Sequence, residues 1–509
     1  MSTKTDILHF PLYINGSWNP SKNGETFEIT NPATGQVCAH VAKGTKADVD
    51  VAVRSARQAF DSGIWSKKSP QERARTLIHF SNEIAEHTEE LVYLESISSG
   101  GTVNRIANSD ILQIVELLQE TAKFAREYRY VESLPTKTFP GPSDNQVWRE
   151  SIGVCAAITP WNFPMILAMW KIAPALAMGN SIVIKPASYT PLTTLKLAEL
   201  AVESGIPAGV FNVVTGPGSS TGEALVTHPE VDKVAFTGST EVGRNIMQQA
   251  AGTVKKVSLE LGGKSPAIVL PDADLDTAIP GILFGVFLHS GQICESGTRV
   301  LVHDSIYDEV IEKLKIAAST IKLGHPLEKT TGMGPLISEQ QLERVLSYIE
   351  TGKQEGATLI CGGKRAEDAE LKHGFYVEPT IFADVDNSMK IAQEEIFGPV
   401  LSVIRYSDVE EAVKLANDTI YGLAAGVWSK DVNKALQIAK DLKAGTIWIN
   451  DWHMFRSDAP FGGYKQSGFG RELGRHALDE YTQTKHVHTS LVPELEKRAW
   501  YGILLGTDS

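Results

Sequence analysis

The chain has 509 residues, of which 42% are hydrophobic and 21% charged, and its net charge is −13. This length predicts two or three domains rather than a single core, and the composition is typical of a globular protein. The negative charge argues against nucleic acid and against an anionic membrane surface as a binding partner.

The four cysteines, at positions 38, 155, 294 and 361, are far apart in the chain and form no CxxC pair. We therefore expect neither a disulfide framework nor a metal site. The N-terminal segment lacks the basic start and apolar stretch of a secretory signal. No segment approaches the ~18 apolar residues of a membrane span. These features predict a cytoplasmic protein, because reducing conditions keep thiols free.

Amphipathic helices are predicted over 46–60, 71–96 and 111–130, because apolar residues recur there at helical spacing. The segment 130–145 contains three prolines and a glycine, so an extended arm is predicted there. From Ser151 onward, short apolar strands alternate with helices, and a second such series begins near position 266. This alternation predicts an α/β fold with parallel sheets and crossover helices.

Capping residues and prolines indicate where some of these elements begin and end. The segment 190–205 is predicted as a helix with Thr190 as its N-cap and Pro191 at its first position. Another helix is predicted to start at Ser239. Near the C-terminus, KHVHTSL (485–491) alternates as a strand does, and an apolar tail follows it.

One cysteine, Cys294, lies in the polar, glycine-containing stretch GQICESGTR (291–299). A thiol attacks as thiolate, which requires a base or a positive environment. Glu260 ends the apolar strand VSLE shortly before two glycines, and this position favours a carboxylate that faces a cleft. It would act as a base toward the thiol or toward a water. A structural cysteine and a surface glutamate are the alternative interpretation of these two signals.

Further polar groups precede this pair in the chain. In ITPWNFP (158–164), Asn162 is held between aromatic residues and prolines, and its amide is a candidate donor to an oxyanion. The alternative is a loop asparagine that satisfies main-chain groups. The turn FTGSTEVG starts a helix at Ser239, and GPGSSTG (216–222) forms a second turn suited to an anion. Lys185 ends SIVIK at the same sheet edge. Neither turn has GxGxxG, so each alone is a weak nucleotide signature.

Together, seven motifs resemble the aldehyde dehydrogenase superfamily, in its NAD(P)-dependent, hydrolytic, non-CoA-acylating type. The motifs are ITPWNFP, IKPAS, FTGSTEVG, ELGGKS, GQICESGTR, EEIFGPV and PFGGYKQSGFGRE. The resemblance covers nearly the whole chain. It implies a Rossmann-like cofactor domain (1–128 and 149–261) and an α/β catalytic domain (262–470). It also implies a small β oligomerisation arm (129–148 and 482–491), followed by a C-terminal tail (492–509).

The resemblance implies that an aldehyde is oxidised to a carboxylic acid with NAD or NADP, through a thiohemiacetal and a thioester on Cys294. Glu260 would activate the hydrolytic water, Asn162 would join the main-chain amide of Cys294 in an oxyanion hole, and Lys171 would support a proton path to the base. The implied cofactor-binding residues are Ile158, Trp161, Lys185, Ser188, Gly218, Gly222, Phe236, Gly238, Ser239, Leu261, Glu395 and Phe397. The implied substrate-binding residues are Phe163, Leu167, Trp170, Leu288, Ile293, Trp452, Phe455 and Phe461.

Two positions depart from the family pattern. Ser188 stands where the family usually has a glutamate that binds the 2′-hydroxyl of NAD, and the smaller, neutral residue favours NADP or use of both cofactors. Glu295 follows the nucleophile directly. A carboxylate that faced the thiol would raise its pKa, so we expect Glu295 to point away and to pair with Arg299 or another base.

The implied funnel positions are mostly large and apolar, which favours an uncharged aliphatic or aromatic aldehyde. Two alternatives are a CoA-acylating semialdehyde dehydrogenase and a non-catalytic structural protein on the same fold. Glu260 argues against the first, because such enzymes typically lack this base, and the intact set of Cys294, Glu260 and Asn162 argues against the second. The arm resembles family arms that pair across subunits, which implies a homodimer or homotetramer. The tail is expected to pack against the arm or an adjacent subunit, or alternatively to reach a funnel mouth.

Overall fold

The computed structural model describes residues 7–139, 141–492, 494 and 498–506. The strands are β1 (Leu8–Phe10), β2 (Leu12–Ile14), β3 (Ser17–Asn19), β4 (Thr26–Asn31), β5 (Gln36–Ala42), β6 (Val131–Ser133), β7 (Ser143–Ser151), β8 (Val154–Ile158), β9 (Ser181–Lys185), β10 (Phe211–Val213), β11 (Lys233–Thr237), β12 (Lys256–Glu260), β13 (Pro266–Val269), β14 (Arg299–His303), β15 (Thr358–Cys361), β16 (Thr380–Ala383), β17 (Val400–Tyr406), β18 (Ala424–Trp428), β19 (Thr446–Ile449), β20 (Gly468–Phe469) and β21 (Thr482–Ser490).

The α-helices are α1 (Lys46–Ser62), α2 (Pro70–Glu86), α3 (Thr88–Ser99), α4 (Val103–Arg105), α5 (Ile111–Glu127), α6 (Pro164–Ala177), α7 (Leu192–Glu203), α8 (Glu223–Thr227), α9 (Thr240–Ala250), α10 (Leu275–Phe287), α11 (Tyr307–Ala318), α12 (Glu339–Gln354), α13 (Lys390–Gln393), α14 (Val409–Asn417), α15 (Val432–Asp441), α16 (Gly474–Glu480) and α17 (Gly502–Leu505). A π-helical segment, Ile106–Asp110, joins α4 to α5. Within the described ranges, no helix combines the length and hydropathy that a membrane crossing requires.

The first large sheet has the strand order β20-β12-β11-β8-β9-β10-β2-β3, and the five strands from β12 to β10 are parallel. Ile158 of β8 is in register with Lys185 of β9, and Thr237 of β11 is in register with Glu260 of β12. Because parallel strands end at one edge of a sheet, these four residues share the carboxyl edge, where α/β sheets bind ligands.

The second large sheet has the order β15-β16-β17-β14-β13-β18-β19, with all pairs parallel except β15 with β16. These two parallel sheets with their helices confirm the predicted α/β fold. The short strand β20 leaves the C-terminal part of the chain and pairs with β12, so that Gly468 lies opposite Glu260. This pairing brings the glycine-rich segment 460–472 to the edge of the first sheet.

A third sheet, β21-β7-β6, forms the arm. The strand predicted at 485–491 is present as β21, which pairs with β7 from Thr482 to Ser490. In the tail, Trp500 packs against Gly141 of the arm, where a Cβ would overlap its ring. Ile503 and Leu504 are 90% and 89% exposed. Residues 493, 495–497 and 507–509 of the predicted tail lie outside the described residues, and the domain boundaries stay a prediction.

Two helix predictions differ from the structure in detail. The single helix predicted over 71–96 is two helices, α2 and α3, that meet at His87. Acidic residues occupy the first turn of α3, where they favour a new helix N-terminus. Thr190 does not cap α7, since its hydroxyl donates to the carbonyl of Trp161 at 3.3 Å, and Pro191 occupies the N-cap position.

Candidate active site

Cys294 lies where two cavities meet. It belongs to the loop between α10 and β14, and the residue is half-buried. One cavity has a volume of about 280 Å³ and the other of about 440 Å³. Asn162, Leu167, Thr237 and Cys294 line both. A molecule in either cavity therefore reaches the same thiol.

The Cys294 loop has an unusual backbone that glycines make possible. His289, Ser290 and Gly291 have φ values of 50°, 59° and 71°. A Cβ at Gly291 would overlap the carbonyl of Gly398. Likewise, a Cβ at Gly263 would overlap the carbonyl oxygen of Cys294. The loop after β12 and the loop before β14 thus approach each other in a way that only glycine permits.

Asn162 precedes α6 and is 3% exposed. Its Nδ2 donates to the carbonyl of Gln292 at 2.8 Å, two residues before Cys294. The side chain of Gln292 is itself fixed, since Nε2 donates to His289 O at 3.0 Å and Oε1 accepts from Ile337 N at 2.9 Å. An amide nitrogen carries two N–H groups, so Asn162 has one left for an oxygen beside Cys294.

Glu260 belongs to a buried cluster that also contains Lys171, Thr237 and Glu472. Nζ of Lys171 donates to Oγ1 of Thr237 at 2.7 Å and forms an ion pair with Glu472. Burial, followed by the Glu472 carboxylate, raises the pKa of Glu260 well above its ordinary value, while Lys171 and Arg471 oppose this shift. A carboxylate with a raised pKa is a stronger base toward water.

Oε2 of Glu260 has no hydrogen-bond partner among the described residues. That oxygen is available to a water or a substrate. Glu472 and Thr237 were missed in the sequence, although both lie in motifs already noted there, PFGGYKQSGFGRE and FTGSTEVG. Their order in the sequence gives no sign that they meet at Lys171.

The expectation that Glu295 points away from the thiol is wrong. Sγ of Cys294 donates to Oε2 of Glu295 at 3.1 Å, and Nδ1 of His453 lies 2.9 Å from Oε1. The partner of Glu295 is thus another base, His453, as the second alternative had it. It is not Arg299, whose guanidinium donates to Asn387 Oδ1 and to the carbonyls of 264, 415 and 416. Burial, and then the Glu295 carboxylate, raises the pKa of Cys294 well above its ordinary value.

The smaller cavity contains most of the residues predicted for the funnel. These are Phe163, Leu167, Trp170, Leu288, Ile293, Phe455 and Phe461. Trp452 does not line it, contrary to the prediction. It is 1% exposed and packs against three glycines, 285, 297 and 426, while its Nε1 donates to Glu295 O at 3.2 Å. The indole therefore lies behind the funnel wall and fixes the main chain next to Cys294.

One wall of the funnel is polar and was missed in the sequence. It consists of Arg105, Asn108, Ser109, Gln113 and Glu116, from α4 to α5. The spacing of these residues is helical, which was the available signal, but their direction depends on how α5 packs on α6. Nη2 of Arg105 lies 3.1 Å from the Asp110 carboxylate, so this cation is paired.

The larger cavity is lined by six of the predicted cofactor residues. They are Trp161, Gly238, Ser239, Leu261, Glu395 and Phe397. Ser239 caps α9, an eleven-residue helix, whose N-terminus offers free N–H groups to an anion. Glu395 accepts from Gly263 N at 3.0 Å, and burial raises its pKa to about 7. Trp161 and Phe397 have ring centroids 5.2 Å apart.

The other six predicted cofactor residues do not line that cavity. Ile158, Lys185, Ser188, Gly218, Gly222 and Phe236 lie on or after β8, β9, β10 and β11, at the same sheet edge. Nζ of Lys185 and Oγ of Ser188 both donate to Gly216 O, at 3.1 and 3.0 Å. A helix N-terminus for phosphate, polar groups for ribose and aromatic rings beside the thiol together fit a dinucleotide.

Comparison with known proteins agrees with this geometry. The model of the aldehyde dehydrogenase family matches residues 18–487. Betaine aldehyde dehydrogenase of Bacillus subtilis is 47% identical over 483 residues, covering 95% of this chain and 98% of its own. Aldehyde dehydrogenase 1A1 of Mus musculus is 44% identical over 486 residues, covering 94% of this chain and 95% of its own.

A solved structure is also similar. The crystal structure of betaine aldehyde dehydrogenase from Staphylococcus aureus in complex with NAD+ has a TM-score of 0.93 and 43% identity, with 96% of each chain covered. The family match and both relatives extend over nearly the whole chain. This chain therefore belongs to the aldehyde dehydrogenase family, as an NAD(P)-dependent oxidoreductase that acts on aldehydes.

Proposed function

We propose that this enzyme oxidises an uncharged aliphatic or aromatic aldehyde to its carboxylic acid by covalent catalysis at Cys294. The observation that supports this most directly is the position of the thiol, which both cavities share, beside the amide of Asn162. The aldehyde would enter through the smaller cavity and the cofactor would occupy the larger one.

In the first half of the reaction, Sγ of Cys294 attacks the aldehyde carbon. The oxygen that becomes negative accepts hydrogen bonds from the Asn162 amide and from the main-chain N–H of Cys294. NAD(P), when it is bound in the larger cavity, supplies the acceptor for the hydride. Glu395 and Phe397 line that cavity next to the thiol and would orient the cofactor.

In the second half, water hydrolyses the thioester that remains on Cys294. Glu260 would take the proton of this water, and the cluster around Lys171 would carry it onward through Thr237 and Glu472. A CoA-acylating enzyme has no need of such a base, so the buried Glu260 favours hydrolysis. A non-catalytic structural role would leave this cluster without a purpose.

The nucleophile can be tested by Cys294→Ala in the full-length enzyme. We expect kcat for propanal or benzaldehyde to fall by at least about a thousandfold, because no other group can form the thioester. Cofactor binding, measured by fluorescence, should be retained. Cys361→Ala is a matched control, since this thiol on β15 donates to Pro379 O at 3.6 Å and lines neither cavity, and activity should persist. An active Cys294→Ala enzyme would refute the assignment.

The substrate class follows from the aromatic rings of the funnel. The ring centroids of Trp170, Phe455 and Phe461 are 5.2 to 5.6 Å apart in pairs. This apolar surface suits a hydrocarbon tail. The guanidinium of Arg105 lies 4.3 Å from the ring centroid of Phe163, so a cation already occupies that face of the Phe163 ring.

A quaternary ammonium aldehyde is the second candidate. Aromatic faces attract such cations, the Glu116 carboxylate lines the funnel, and two of the similar proteins are betaine aldehyde dehydrogenases. The two candidate substrates would therefore place their tails against the same ring cluster, and they differ in whether that tail carries a positive charge.

An isosteric pair of aldehydes distinguishes them. Betaine aldehyde and 3,3-dimethylbutanal have the same shape, but only the former is charged. We expect kcat/KM to be at least about tenfold higher for 3,3-dimethylbutanal, because a neutral tert-butyl group enters the apolar ring cluster without losing the hydration of a charge. A preference of that size for betaine aldehyde would instead assign the ring cluster to a quaternary ammonium group.

We propose that the enzyme uses NADP or both cofactors. Ser188 follows β9 at the sheet edge, and its hydroxyl, now bonded to Gly216 O, is available to a 2′-phosphate after a rotation. Lys185 is nearby, with its Nζ on the same carbonyl, and burial lowers its pKa to about 8. A neutral residue here presents no negative charge to repel that phosphate.

Ser188→Glu tests the cofactor assignment. The new carboxylate should accept from the 2′-hydroxyl of NAD and repel the 2′-phosphate of NADP. A charged hydrogen bond contributes ~1.5–3 kcal/mol, so the ratio of kcat/KM for NAD to that for NADP should rise roughly tenfold to a hundredfold. Ser188→Ala is the control that removes the hydroxyl without adding charge, and it should change the ratio far less. An unchanged ratio in Ser188→Glu contradicts the proposal.

We also propose a homodimer or homotetramer, in the cytoplasm, assembled through the arm. Strand β21 has nine residues, most of them exposed, and it forms one edge of the arm sheet. An unpaired strand edge invites association, so a neighbouring subunit would cover it. Light scattering at micromolar concentration should give the mass of a dimer or a tetramer. A monomeric mass would exclude this assembly.

A further inference from the structure

The carboxylate of Glu295 occupies the position of a base toward the nucleophile. Its Oε2 accepts the Sγ–H of Cys294 at 3.1 Å. The thiol and the carboxylate are adjacent in the chain, yet the backbone turns so that both side chains line the same funnel. A general base must lie within hydrogen-bonding reach of the proton that it removes, and Glu295 meets this condition before any substrate is bound.

His453 holds this carboxylate in place. Its Nδ1 lies 2.9 Å from Oε1 of Glu295, and since a carboxylate accepts, the imidazole N–H donates. His453 is 6% exposed and has a φ of 59°, a conformation uncommon for residues other than glycine. Phe284 and Trp448 pack against the ring at 5.5 and 6.4 Å between centroids. The imidazole is therefore fixed, and it fixes Glu295.

Glu260 has a different set of neighbours. It adjoins the ion pair of Lys171 with Glu472, at the carboxyl end of β12. Among the described residues, it has no hydrogen bond to Sγ of Cys294. The structure thus separates two carboxylates, one on the thiol and one free to act on water.

We propose that Glu295, positioned by His453, is the base that removes the proton of Cys294 when the thiol attacks the aldehyde. This inference rests on Cys294 as the nucleophile of the proposed function. Glu260 then acts in hydrolysis of the thioester alone.

The protons and electrons of this step balance. As the Sγ–H bond breaks, its proton moves to Oε2 of Glu295, and the sulfur electron pair forms the bond to the aldehyde carbon. The π electrons of the carbonyl move to its oxygen. When the thioester is hydrolysed later, the departing sulfur of Cys294 takes the same proton back. Glu295 is a carboxylate again at the end of each turnover, and the step consumes no other reagent.

The charges that face the thiol make such an internal transfer useful. Glu295, Glu395 and Glu260 all oppose a negative charge on Sγ, in addition to the burial of the thiol. Ionisation by loss of the proton to solvent would place one more negative charge among these carboxylates. Transfer to Oε2 leaves the net charge of the site unchanged, and within the described part of the chain His453 is the one other titratable side chain that bonds to the pair.

Alkylation of Cys294 by iodoacetamide, a neutral reagent, reports this transfer without any aldehyde or cofactor. In the wild-type enzyme, the alkylation rate should be nearly independent of pH across about pH 6 to 8, because the proton stays within the pair. In Glu295→Gln, the thiol must ionise to solvent. Burial still keeps its pKa high, so the rate should rise about tenfold per pH unit over this range.

Glu260→Gln is the matched variant, since it makes the same carboxylate-to-amide change at the other base. It should keep the flat alkylation profile while slowing steady-state turnover more than the first-turnover burst of reduced cofactor. Glu295→Gln should show the opposite pattern, with a slower burst. His453→Phe should lower the alkylation rate without making it as pH-dependent as Glu295→Gln. Cofactor binding verifies that each variant is folded.

Several results would overturn the inference. A wild-type alkylation rate that already rises about tenfold per pH unit would overturn it, and this result does not depend on whether Glu295→Gln folds. The inference would also be overturned if the alkylation rate of Glu295→Gln were independent of pH, or if that of Glu260→Gln became dependent on pH. Each of these leaves the proposed function intact if Cys294→Ala is inactive. An active Cys294→Ala enzyme would instead refute the nucleophile itself.

Discussion

The site depends on the close approach of two loops, one after β12 of the first large sheet and one before β14 of the second. Gly263, after β12, lies against the carbonyl of Cys294, and any side chain there would overlap it. This contact places the end of the first sheet, with Glu260, beside the loop of the second sheet that carries the thiol. Gly291 makes the same kind of contact with Gly398. The meeting of the two cavities at one sulfur atom follows from these main-chain contacts.

Burial then sets the acid–base properties of the centre. Glu260, Glu295 and Glu395 all lie near the thiol, and burial is the largest cause of the raised pKa values of Glu260, Glu395 and Cys294. Carboxylates that share such a site cannot all act alike. Each carboxylate has different neighbours. Glu260 adjoins the ion pair of Lys171 with Glu472. Glu295 is hydrogen-bonded to His453 and to the thiol, whereas Glu395 accepts from the main-chain N–H of Gly263.

The funnel shows that the contact predicted for a residue from the sequence can differ from the contact that it makes in the structure. Trp452 was predicted to contact the substrate because it is large, apolar and in the expected segment, yet it packs on glycines behind the wall. The adjacent His453, with a φ of 59°, lines the funnel. The polar residues from Arg105 to Glu116 reach the funnel only because α5 packs on α6.

The sequence by itself determined the fold class, the family and most of the residues around the thiol. Strand and helix periodicity is local, and each motif keeps its candidate catalytic residue within a few positions of a strand end or a turn, so Cys294, Glu260 and Asn162 were recognisable as candidates. Tertiary structure alone decided where the side chain of Glu295 points. Its partner His453 is 158 residues away, and Arg299, one of the two alternatives expected for it, is held by carbonyls more than 100 residues distant. Side-chain direction depends on such long-range contacts, which no local pattern encodes.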